Sequence, residues 1–204
     1  IYSTTNVYKF GDRFDYEHVE ESELRKWSWE ETYTNSDYNV NNGQIVITTA
    51  SDDTDSEGRL THYMKFEDAW TTTVKFTPTS QPNNGEELFE VSFGGFRVGV
   101  DQDSGDTNQW YLKKGETSLD SPIEDPYDVD NDVEYLLTVE YSDDGAQRTI
   151  TVKVDTDGMA EKTIFSYSDP DELFDLDRIS LSYQHDSDGK INEVLYHAKI
   201  NEAT

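Results

Sequence analysis

The chain contains no cysteine. That excludes disulfide frameworks, thiol nucleophiles and zinc held by thiolates, and it leaves the redox compartment open. Basic residues are scarce: 16 Lys and Arg stand against 44 Asp and Glu, for a formal net charge of −28. A surface so poor in positive charge cannot neutralise phosphates, which excludes nucleic acid as a partner. An anionic membrane surface would repel it as well. No run of about 18 apolar residues occurs, so no membrane span is expected. No long segment carries the 3.6-residue apolar spacing of a helix. The opening residues lack a basic stretch followed by an apolar one, so Ile1 is expected to follow a cleavage or cloning boundary.

What is present is a two-residue period. It is clearest in Glu134 to Gly158. Tyr135, Leu137, Val139 and Tyr141 fall on one face of a first strand, and Ile150, Val152 and Val154 on one face of a second. Thr149, Thr151 and Lys153 point the other way. Asp143-Asp144-Gly145 supplies the turn between them. The same alternation recurs at Trp70 to Phe76, Phe89 to Phe93, Phe96 to Val100, Trp110 to Leu112, Ile179 to Tyr183 and Val194 to Ile200. Two short helical turns are expected, at Glu20 to Trp27 and after Asp169-Pro170-Asp171-Glu172, where an N-cap, a first-position proline and a third-position acid line up. About a dozen short strands separated by turn signals predict an all-β sandwich or barrel. The 204 residues carry no repeat and no low-complexity linker, so one domain over 1–204 is expected. A chain of this size buries roughly 70% of its unfolded surface and needs no staple.

Three stretches carry a family likeness. They are FGDRFDYEHVEESELRKWSWEETY with VNNGQIVI, the Glu134–Gly158 hairpin, and INEVLYHAKI near the end. With them the chain resembles the concanavalin A-like (laminin G-like) jelly-roll domains. The resemblance implies a sandwich of two antiparallel sheets, a concave face that often binds glycans, and frequently a calcium ion. The composition in turn resembles that of proteins from extreme halophiles, with Asp and Glu abundant and Lys scarce. The alternative is an acidic secreted protein of ordinary habitat.

Catalytic signatures are missing. The Glu-x-Asp-x-x-Glu strand of jelly-roll glucanases does not occur. Glu86 and Glu90 share a strand face but stand about 13 Å apart, too far for a retaining pair. They are expected to be solvated outward acids. The motifs of jelly-roll alginate lyases, Gly-x-Ser-x-Gly and His-Glu-x-x-His are absent too. The four histidines, His18, His62, His185 and His197, are scattered and show no ligand spacing.

Two binding chemistries remain. Asp101, Asp103 and Asp106 place three carboxylates within six residues around Gly105, which suits calcium, a hard cation that takes several oxygens. Asp52 to Glu57, Asp128 to Asp132 and Asp186 to Asp188 are weaker clusters, and in so acidic a chain hydrated acidic turns stay ahead as the explanation of all four. For glycans, aromatic rings that stack on sugar faces are sought: Trp29, Tyr33, Trp110 and Tyr111 are the candidates. Trp110 and Tyr111 point to opposite strand faces, so one of them is expected outside the core. The expected function is a non-catalytic extracellular or surface module of a halophile or its virus. It would bind glycan or a cell-surface or virion protein, in adhesion or assembly. The alternative is a divergent jelly-roll glycoside hydrolase or polysaccharide lyase.

Overall fold

The structure, a computed structural model, describes residues 2–12, 27–32, 36–41, 44–49, 57–80, 87–102, 108–121, 129–156, 159–171, 173–185 and 187–203. Fifteen strands run through them: β1 (Tyr2–Asp12), β2 (Ser28–Thr32), β3 (Asp37–Asn41), β4 (Gln44–Thr48), β5 (Glu57–Tyr63), β6 (Ala69–Pro78), β7 (Glu87–Ser92), β8 (Arg97–Gln102), β9 (Asn108–Lys114), β10 (Thr117–Ser118), β11 (Tyr135–Asp143), β12 (Arg148–Thr156), β13 (Lys162–Asp169), β14 (Arg178–Gln184) and β15 (Gly189–Ala203). They form two antiparallel sheets. The first has the order β13-β12-β11-β6-β15-β4-β3, with β1 as an eighth strand pairing the later half of β15; the second is β10-β9-β8-β7-β14-β5-β2.

The expected hairpin is β11 and β12, in unbroken register from Tyr135 opposite Thr156 to Asp143 opposite Arg148. Its turn is set by short-range hydrogen bonds. Asp143 Oδ1 accepts from Gly145 N–H, and Asp144 Oδ1 accepts from Ala146 and Gln147 N–H, at 2.8–2.9 Å. These bonds hold the Asp144 carboxyl below the usual range, and Gly145 takes the positive φ of 82° that closes the turn.

Alternation sends one side chain in two between the sheets. There Phe76 stacks on Phe89 at 4.1 Å, and Trp70 packs among Phe93, Phe66, Tyr141 and Tyr196 at 4.8–6.0 Å. These contacts align the two sheets. The end of β6 lies over the start of β7, and the start of β6 over Phe93 and Phe96, where β7 gives way to β8. Consequently the connections leaving β2, β4, β6, β8, β12 and β14 all depart from the same end of the sandwich. Each of the four acidic clusters of the sequence is carried by strand ends at that end.

No helix occurs among the described residues. Residues 20–26 lie outside them. After β13 the described residues do not enter a helix: Asp169 Oδ1 accepts from the Asp171 N–H at 2.7 Å, and residues 173–177 run irregularly to β14. One turn has too few internal hydrogen bonds to repay its nucleation. The segment is held instead by Phe174, 5.3 Å from Phe96 and 6.2 Å from Tyr141, and by Met64 N–H donating to Asp177 O.

Candidate functional site

The outward face of the seven-stranded sheet is built by register. One row crosses Tyr111, Gly99, Glu90, Ser182, Arg59 and Glu30 on β9, β8, β7, β14, β5 and β2. The next crosses Lys113, Arg97, Ser92, Ser180, Thr61 and Ser28. Gly99 makes the first row possible. A Cβ there would meet the Tyr111 hydroxyl at 2.2 Å, so its absence lets the tyrosine ring lie across β8. The hydroxyl donates to Glu90 Oε2 at 3.0 Å, Arg97 Nη1 donates to the same oxygen at 2.9 Å, and Lys113 Nζ sits 4.2 Å above the ring.

Glu90 is outward, as expected, but it is not solvated: it is 4% exposed. Burial pushes its carboxyl above the usual carboxylate range, against the pull of Arg97 and Tyr111. Burial likewise drives the Tyr111 phenol well up, with Glu90 adding to it. The cluster is therefore a sealed ion pair with a fixed acceptor, not an open acid.

The aromatic candidates separate accordingly. Trp110 is 0% exposed, in the core beside Phe76, and Tyr111 is 1% exposed under its cationic neighbours. Neither offers a ring face to a sugar, which corrects the expectation that one of the two stands outside. Trp110 and Tyr111 do lie on opposite strand faces, Trp110 inward, but the fold-over permitted by Gly99 also buries the outward Tyr111. Trp29 is half-buried, its ring 4.7 Å from that of Tyr38 and tilted 46° to it, where the edges of the two sheets meet. Tyr33 lies outside the described residues.

At the loop-bearing end, Asp101 is the last outward position of β8 in line with Arg97 and Gly99 before the acidic β8–β9 connection, and it is half-buried. Asp103 and Asp106 lie outside the described residues. Asn108, at the start of β9, is 4% exposed. Its Nδ2 donates to Val129 O at 3.0 Å, while its Oδ1 is buried and accepts no hydrogen bond. A buried amide oxygen without a donor is costly unless another electropositive group meets it. Carbonyl and carboxylate oxygens are the donors calcium takes, so the Asn108 oxygen suits such an ion at the root of the loop, while the register puts Asp101 on the other face of β8. Asn108 went unnoticed in the sequence because an Asn after an acidic turn is an ordinary turn residue. Among the described residues no three acidic or histidine side chains converge as a metal cluster.

Beside this root, His185 is paired, contrary to the sequence reading. It stands at φ 52° in a turn held by the buried Ser187 hydroxyl, which donates to Leu88 O at 2.8 Å, and its Nε2 lies 2.9 Å from Glu87 Oε2. That bond pulls Glu87 down to about 2, burial opposing it. A carboxyl depressed when folded stabilises above its unfolded value and loses that stability as pH falls through the folded one. Glu87→Gln is thus expected to cost about 1–2 kcal/mol above pH 4.5, allowing for the partial exposure of the pair. In melts at constant molar salt, wild type and variant should converge between pH 4.5 and 2; a gap independent of pH would contradict the pairing.

The opposite end carries a cleft of about 810 Å³ between Glu67, Asp68, Asp144, Arg148 and Lys199. Its cations are engaged: Arg148 with Asp143 at 3.0 Å, Lys199 with Glu140 at 3.0 Å.

Comparison with known proteins rests on structure alone. No family model matches the chain, and no curated protein matches it. Among solved structures, the exoplasmic/lumenal domain of VIP36, in a form bound to Ca2+ and Man2, superposes with a TM-score of 0.65 at 12% identity, over 95% of this chain and 89% of that one. The chain has the concanavalin A-like jelly-roll fold. Peanut lectin gives 0.62 at 14% identity over 99% and 100%, and lectin I-B4 of Griffonia simplicifolia, in its metal-free form, 0.62 at 10% over 92% and 98%.

Proposed function

We propose that this jelly roll, over residues 1–204, is a single non-catalytic glycan-binding module. It would work outside the cytoplasm, on the surface of a halophile or on its virion or surface filament. The observation that carries the reading is the buried, donor-less Oδ1 of Asn108 at the root of the β8–β9 connection, at the end of the sandwich that bears the acidic clusters. Support comes from the neighbours, since VIP36 structures with this fold hold calcium with mannose sugars and the Bauhinia forficata lectin holds GalNAc. Calcium, when bound, supplies a hard centre that fixes surrounding oxygens in one arrangement. Asn108 would supply one oxygen to it, and Asp101, Asp103 and Asp106 are the candidate carboxylates. Trp29 remains a stacking candidate with Tyr33; Trp110 and Tyr111 do not.

The test is a glycan array in molar KCl, with calcium and with chelator. Calcium-dependent binding to a defined glycan is expected, weakened about tenfold or more by Asn108→Ala. No binding under either condition would remove the lectin reading. The alternative of a divergent hydrolase or lyase finds no open acid in Glu90, which is sealed under Arg97 and Tyr111. It would show as release of sugar ends from the same glycans.

A further inference from the structure

We propose that two copies of the chain associate through β13, edge to edge, about a two-fold axis at Ser166. β13 is the outermost strand of the eight-stranded sheet and among the described residues pairs on one side only, with β12. At eight residues it is long for an open edge, which is normally shortened or charged along its length to prevent pairing. Here the outward side chains are Thr163, Ser166 and Ser168, and the charges stand at the two ends, Lys162 and Asp169.

The register makes these ends complementary. Val152 pairs with Phe165 and Lys153 with Thr163, so Ile164 is an inserted, bulged residue. Without the bulge Lys162 and Asp169 would point to opposite faces. With it they share one face, each three pairing steps from Ser166. A two-fold at Ser166 therefore sets Lys162 of each copy opposite Asp169 of the other, and Thr163 opposite Ser168. An isologous contact repeats each favourable pair twice.

A separate observation points to the same axis. Three large apolar side chains are exposed among the described residues, Tyr63 at 59%, Met159 at 59% and Leu173 at 67%. Two of them flank β13, Met159 three residues before it and Leu173 four after. The same axis brings Met159 of one copy toward Leu173 of the other. Backbone pairing along the strand would supply affinity, as in β-strand addition, and the charged and apolar ends would supply register. Two chains of −28 repel, so the association belongs to molar salt, where the Debye length is about 3 Å.

Sedimentation and light scattering on the full chain test this. A dimer is expected in 3 M KCl that dissociates as salt falls. Lys162→Glu, which places like charges opposite each other twice, should raise the dimer Kd about tenfold. Lys162→Gln should fall between, and Lys162→Glu with Asp169→Lys should restore the dimer. Lys162 is exposed, so its two single variants should keep the wild-type circular dichroism. A monomer at every concentration in molar salt would overturn the proposal. So would a dimer indifferent to Lys162→Glu, or capture only of a different protein at this edge.

Discussion

Replacing Trp70 by alanine is expected to lower the unfolding free energy by about 3–5 kcal/mol, the range for removing a large buried aromatic. Trp70 is fully buried on β6, the strand that joins β11 to β15 in the middle of the eight-stranded sheet. Its ring touches the opposite sheet through Phe93 and its own sheet through Tyr141 and Tyr196. These partners are themselves rigid rings, so the cavity left behind cannot collapse easily. The chemistry also sets a contrast. Trp70 Nε1 donates no hydrogen bond in the core. Trp70→Phe removes an unsatisfied donor together with part of the ring and should cost much less, about 1.5 kcal/mol or under. Denaturant unfolding in molar KCl reads both. Equal losses for the two variants would mean that the indole N–H has a partner after all.

The larger effect is expected from salt. For a sphere of about 20 Å radius carrying −28, screened Coulomb repulsion differs between 0.1 M and 1 M salt by on the order of 10 kcal/mol relative to the expanded chain. That is comparable to the whole stability of an ordinary domain. The described ion pairs relieve only part of it. Glu140 is held down by the hydrogen bond from Lys153 and by Lys199, and Glu90 is matched by Arg97. The chain should therefore melt far lower in 0.1 M than in 3 M KCl, with cooperative loss of near-ultraviolet dichroism as salt is withdrawn. A melting temperature unmoved between the two would refute the halophile reading.

Much of the architecture was legible in the sequence because a half-buried strand writes its own pattern. The hairpin of β11 and β12, its Asp143–Gly145 turn and the inward set from Tyr135 to Val154 need only local alternation, and each stands where that alternation puts it. The helical turn expected after Asp169 failed because capping residues mark where a helix can begin, not that the next residues will make one. Local pattern was equally blind at the candidate site. Trp110 and Tyr111 read as lying on opposite faces, one of them exposed; the burial of Tyr111 depends on Gly99, twelve residues earlier and on the neighbouring strand. Glu90 reads as a solvated acid until Arg97 and Tyr111 close on it. His185 reads as unpaired because Glu87 lies nearly a hundred residues away in the chain.

By itself the sequence determined the class of the fold and the strand faces, since these follow from nearest-neighbour alternation, and its summed charge of −28 is what the salt prediction rests on. Tertiary structure alone decided which carboxylates are sealed and which aromatics are hidden. It also decided that four scattered acidic loops leave from one end, and that a single bulged residue aligns Lys162 with Asp169. Those properties depend on which strands lie side by side, and register between distant segments is set by the packing of the whole sandwich.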